Sequence, residues 1–217
     1  EMVQAAVEQG YKVLAITDHS QSLGIAGGLA PEQVRKQAQE IQQVRGEYQD
    51  SIILLHGTEM EILADGTLDF PDQMLKELDL VIASLHTSMR QPREKATARI
   101  LNAIQNPYVD FIAHPTNRLL GKREPADLDM DAILEAAAAH DTALEVNANP
   151  MRLDLSDIYV RRALELDIPI TINTDAHSPQ ELDYLPFGVA TARRGWATAA
   201  QVINTWPEEK LLSWLSR

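Results

Sequence analysis

The sequence predicts an α/β fold of parallel strands, and three observations carry that expectation. Short apolar runs alternate with helical patterns along the chain, the order expected of repeated βα units. The runs are nearly continuous in hydrophobicity, as at residues 52–55 and 80–83, so both faces of the sheet need protein cover. Each run is followed by a histidine, a carboxylate or an asparagine. A doubly wound open sheet and a closed barrel both meet these demands. No G-x-G-x-x-G follows any run, which weighs against a dinucleotide-binding sheet.

The elements follow in order. Residues 1–9 read as a helix on Met2, Val3, Ala6 and Val7, stopped by Gly10. A strand is expected over residues 11–17. The glycines Gly24, Gly27 and Gly28 lack the lysine and spacing of a phosphate-binding loop and read as a flexible connection. Pro31 suits the first turn of a helix over residues 31–46. Strands are expected at 51–57, 79–84, 108–113, 142–147 and 168–173, with helices at 92–104, 128–140 and 155–166. Asp167-Ile168-Pro169 halts the last of these helices. Residues 199–217 read as two short helical pieces divided at Trp206-Pro207.

The 217 residues are enough for one domain, read here as spanning residues 1–217. No apolar run approaches the length of a membrane span, no signal peptide is visible, and a cytoplasmic location is expected. Cysteine is absent, so a transition metal would be held by imidazole and carboxylate alone. The net charge of −13 argues against a broad basic face for nucleic acid. It leaves room for a local phosphate site, because Arg90, Arg118, Lys122, Arg123 and Arg152 fall in expected loops.

The strand ends hold the chemistry. They read Thr17-Asp18-His19-Ser20, Gly57-Thr58-Glu59-Met60-Glu61, Ser84-Leu85-His86, Ala113-His114-Pro115, Glu145-Val146-Asn147 and Asn173-Thr174-Asp175-Ala176-His177. In a parallel barrel these ends open on one face, where the active site lies. Four of the six histidines occupy that one topological position, which chance would not arrange. His56, inside an apolar run, and His140, ending a helix, read as structural. Asp18 fits an ordinary turn. Glu59 is preferred to Glu61 as a ligand because it lies nearer the strand end. Ser20, Ser84 and Ser178 sit in no nucleophile motif. Imidazole and carboxylate around divalent ions suit metal-assisted hydrolysis, with Arg118, Arg123 and Arg152 as candidate phosphate contacts. Solvated surface arginine is an equally good reading of those three.

The order T-D-H-S, G-x-E-x-x-I, S-x-H, A-H-P-T-x-R and N-x-D-A-H-S resembles the polymerase and histidinol phosphatase (PHP) superfamily. Leu68-Asp69-Phe70-Pro71, His114-Pro115-Thr116-Asn117-Arg118-Leu119-Leu120-Gly121, Arg152-Leu153-Asp154 and Arg193-Arg194-Gly195-Trp196 narrow the likeness. It is closest to the C-terminal PHP domain of bacterial family X DNA polymerases. The resemblance implies a distorted (β/α)7 barrel holding up to three divalent ions, manganese or zinc. The implied activity is phosphoester hydrolysis in DNA, chiefly 3′-to-5′ exonuclease, with a polymerase region upstream that supplies most of the grip on DNA. Glu59, His86 and His114 would share one metal, Asp175 and Glu59 a second, and His19 and His177 a third. Glu59, His86 and Asp175 would then carry the catalytic work, with Asn147 beside the phosphate.

The sequence departs from the pattern at its start. The family's first motif, a strand ending in His-x-His, is not here, and six strands are counted where the family has seven. The expectation is a piece of a longer protein that binds one metal at best, has little nuclease activity, and leaves a barrel edge unpaired. Two other readings use the same residues. One is a free-standing phosphatase acting on a small phosphomonoester such as histidinol phosphate. The other is a non-catalytic barrel that supports a neighbouring domain.

Overall fold

A computed structural model describes residues 1–216. Its elements are α1 (Met2–Glu8), β1 (Val13–His19), α2 (Pro31–Tyr48), β2 (Ile53–Glu61), α3 (Asp72–Leu75), β3 (Leu80–Ser84), α4 (Arg93–Ile104) and β4 (Phe111–Ile112). They continue as α5 (Met130–His140), β5 (Ala143–Asn147), α6 (Asp157–Glu165), β6 (Ile170–Asn173), α7 (Leu185–Arg194) and α8 (Glu208–Leu215). The strands form one six-stranded sheet in the order β1-β2-β3-β4-β5-β6, and every pair is parallel. Sequential parallel neighbours require each crossover to climb one step in the same sense, which curls the sheet. The curl is large enough to bring His19, ending β1, within 6.2 Å of His177, after β6, ring to ring. The result is a half-barrel.

Period-two alternation divides the sheet into two faces. The outer face packs under the helices, with Leu54 against α1 and α2 and Met60, Val81 and Ile112 in the main core. The inner face is apolar at the strand starts, where Val13, Leu55, Leu80, Phe111 and Ala143 meet Trp206, Leu211 and Trp214 around α8. Towards the strand ends the inner face turns polar, and the candidate site begins there. Among the described residues β1 hydrogen-bonds to one neighbouring strand only, β2.

The expected strands and helices are present with small shifts of boundary. α7 was not expected. Pro186 stands in its first turn, where proline is accepted. Gly188 is required by contact, since a Cβ there would lie 2.5 Å from Ile172 Cγ2 and 2.8 Å from Ala148 Cβ. The expected helical end over residues 199–217 is two 3₁₀ turns followed by α8, and Arg217 lies outside the described residues. Among the described residues no helix is long and apolar enough to cross a membrane.

Candidate metal centre

Glu59 is the hub of the site. It stands on the inner face of β2, in register with His19 of β1. Its Oε2 lies 3.2 Å from His19 Nδ1. Its Oε1 lies 3.3 Å from His86 Nε2 and 3.0 Å from His114 Nε2. The His86 ring stands edge-on to both neighbours, with centroids 5.0 Å from His19 and 5.1 Å from His114. Candidate ligand atoms of His19, Glu59 and His86 all lie within 4.8 Å of one another. His114 approaches the same carboxylate from the other side of His86.

Four side chains from four strand ends thus converge on a pocket of nitrogen and oxygen donors. His19 Nδ1, 3.2 Å from Glu59 Oε2, is buried without a hydrogen-bond partner. Burying polar atoms unpaired is costly unless something else satisfies them. A divalent cation fits that donor set, which has the oxygen and imidazole character that manganese and zinc accept. The electrostatics agree. Burial alone would raise the Glu59 pKa, but the His114 hydrogen bond and the three imidazoles outweigh it and hold the carboxyl well below its ordinary range. Burial pushes His19 towards its neutral form. For His114 burial acts the same way, yet the Glu59 carboxylate wins and raises its pKa. The centre attracts positive charge.

Asp175 and His177 flank the hub. Asp175 accepts from Asn147 Nδ2 at 3.0 Å, and its Oδ2 lies 3.6 Å from Arg152 Nε. His177 is more open, its side chain 67 % exposed, with Nδ1 3.9 Å from Asp175 Oδ1. Asn147 is fully buried and orients Asp175, which leaves it below the site's surface. The arginines divide. Arg118 donates from Nε to the Arg152 carbonyl at 2.9 Å and from Nη2 to the Leu153 carbonyl, bracing one loop against another. Arg123 and Arg152 both reach Asn117 Oδ1, each at 2.6 Å, and Arg152 stands nearest the hub. His56 lies on the outer face, 3.1 Å from Gln37 of α2, and His140 is exposed at the end of α5, both as expected of structural residues.

Three acidic groups take parts that the sequence did not assign. Glu61 lies beside the hub and accepts from the His86 and Thr87 backbone N–H groups at 3.0 and 2.9 Å. Glu145, on the inner face of β5, accepts from His114 N–H at 2.6 Å and from Asn173 Nδ2 at 3.0 Å, and burial first of all pushes its pKa up to about 7. Asp154 is fully buried and accepts from Thr116 N–H at 3.0 Å. The signal for Glu145 was an acidic residue within an apolar run, two positions before Asn147. Asp154 offered no such signal.

A family model of the PHP domain matches residues 1–149. The chain belongs to the PHP family. A DNA polymerase/3′-5′ exonuclease PolX from Bacillus subtilis is 44% identical over 217 residues, all of this chain and 38% of that protein. The chain therefore spans well under half of that relative's length. A protein named as a probable phosphatase from Thermoanaerobacter sp. is 28% identical over 223 residues, covering 94% of this chain and 82% of the relative. A solved structure from Listeria monocytogenes, provisionally assigned as a histidinol phosphatase, shares the fold with TM-score 0.67 and 15% identity, covering 83% of this chain and 89% of that one. Histidinol phosphate phosphatase from Lactococcus lactis, solved with zinc, L-histidinol and phosphate, gives TM-score 0.58 and 18% identity over 88% of this chain and 86% of that one.

Proposed function

We propose that this PHP domain hydrolyses phosphodiester bonds at the 3′ end of DNA, within a protein that also carries a polymerase region. The observation that carries the reading is the Glu59 carboxylate ringed by His19, His86 and His114, with a guanidinium one carboxylate away. The 44% identity to the Bacillus subtilis PolX over the whole chain favours DNA as the substrate. Manganese or zinc, when bound, supplies a hydroxide near neutral pH and neutralises charge on the phosphoryl oxygen.

The chain's own residues do the positioning. Glu59, with His19, His86 and His114, would hold the cation on the inner face at the strand ends. Asp175, aimed by Asn147, adds a second carboxylate on the open side, beside His177. Arg152 offers a phosphate contact, its guanidinium poised between Asn117 and Asp175, and Arg123 supports it from the same asparagine. Arg118, bound to carbonyls, sets the loop that presents Arg152.

A 5′-labelled single-stranded oligonucleotide incubated with manganese and the protein, its polymerase region included, tests the reading. Stepwise shortening from the 3′ end, lost in Glu59→Gln, is the expected result. Turnover of histidinol phosphate with no shortening of DNA would replace it with the phosphomonoesterase reading, to which the Lactococcus lactis structure lends support.

A further inference from the structure

Arg99 lies on α4, outside the sheet, yet its side chain is 2 % exposed. Its guanidinium donates to the Ile62 carbonyl, to the Thr87 carbonyl at 3.0 Å and to Gln91 Oε1 at 3.2 Å. Ile62 follows the last residue of β2, and Thr87 follows His86. One buried cation therefore ties together the two chain segments that present Glu59 and His86. Its Nη2 also lies 3.7 Å from Glu61 Oε1. That guanidinium sits beside a carboxylate whose two oxygens both face backbone N–H donors, so Glu61 serves as an acceptor there.

Glu61 uses that capacity on His86 and its neighbour. Oε1 accepts from Thr87 N–H at 2.9 Å and Thr87 Oγ1 at 2.6 Å, while Oε2 accepts from His86 N–H at 3.0 Å. Oε2 also faces His86 Nδ1 at 3.0 Å. A carboxylate has no hydrogen to offer, so Nδ1 must carry it. Ser84 Oγ, 3.1 Å from the same nitrogen, can share it. A neutral imidazole protonated on Nδ1 presents a lone pair at Nε2. That lone pair faces Glu59 Oε1 at 3.3 Å, where two electron-rich atoms repel unless a cation lies between them.

We propose that Arg99 and Glu61 are positioning residues that lock His86 in its Nδ1–H tautomer, so that Nε2 is presented to a divalent cation beside Glu59. Carboxylates behind metal-binding histidines act in this way in general. The addition here is a buried arginine from the outer helical layer that holds the carboxylate and both strand ends at once. The inference rests on the reading of the Glu59 cluster as a metal centre.

Long-range ¹H–¹⁵N NMR of the metal-free protein at mildly alkaline pH reads the His86 tautomer, and calorimetry reads manganese affinity. The wild type should show Nδ1–H. Glu61→Gln, whose amide can donate to Nδ1, should admit the other tautomer. Arg99→Gln should loosen the preference, and both variants should bind manganese about 10- to 100-fold more weakly, with Arg99→Lys recovering part of the loss. Hydrogen found on Nε2 in the wild type overturns the inference and needs no folded variant. A folded Arg99→Gln that keeps both tautomer and affinity overturns it equally. Wild-type protein that takes up no metal in the same titration would remove the metal-centre reading itself, and this inference with it.

Discussion

Glu59 stands in the middle of three imidazoles, and the charge on its carboxylate, more than its shape, makes the centre attractive to a cation. Glu59→Gln keeps the shape and removes the charge. Manganese affinity measured by calorimetry should fall at least about 100-fold, beyond what loss of a supporting partner costs. Glu145 gives a second expectation. Burial raises its pKa from 4.5 to about 7, so the folded state holds a proton that the unfolded state has released. Its contribution is complete below about pH 4.5 and is lost as pH rises through 7, amounting to at most about 3 kcal/mol. In chelator, urea midpoints should therefore show a fall with pH between 5 and 8 that Glu145→Gln flattens. An unchanged slope would show that another group sets it. The histidines were legible in the sequence because they repeat one place in the βα unit. Glu61, Glu145 and Arg99 were not, because their roles depend on partners 25 to 37 residues away that only the folded chain brings near.

At the scale of elements, α7 shows how packing overrides local preference. Within an exposed helix, replacing glycine with alanine gains about 1 kcal/mol in propensity. At Gly188 the new methyl would stand 2.5 Å from Ile172 Cγ2, a contact that must be relieved by moving helix or strand. Overpacking of that kind costs about 1–3 kcal/mol, so Gly188→Ala should lower the urea midpoint despite the better helix former. Hydrophobic period and flanking punctuation located the strands and most of the helices. They did not locate α7, where Gly188 is set by its contact with Ile172 and Ala148, neighbours that only the folded chain supplies. β4 is shorter than its apolar run, but Asp110 and Ala113 still hydrogen-bond to Val81 and Ala83 of β3 on either side of it. The sequence located that pairing better than it located the strand's ends.

Over the whole molecule, the inner face of the sheet has two halves that do different work. The strand starts are filled by α8, where Trp214 stacks on Phe111 at 6.4 Å, while the strand ends hold the polar centre. Trp214→Ala removes a half-buried ring and should cost roughly 2 kcal/mol, less than a fully buried aromatic. Its manganese affinity should match the wild type, and a loss of affinity would show that the two halves are coupled. The choice between an open sheet and a curled one was not legible from apolar runs, which look alike in both; the meeting of His19 and His177 decides it. That meeting also bears on how the protein folds. No short segment contains the centre, for its side chains lie on every strand end from the first to the last and come together only when the curl is complete. Contacts so distant along the chain form late and slowly. Metal uptake during refolding should therefore keep time with the slowest global phase, trailing the first return of helical signal, and the ion would serve as a clock for completion of the fold.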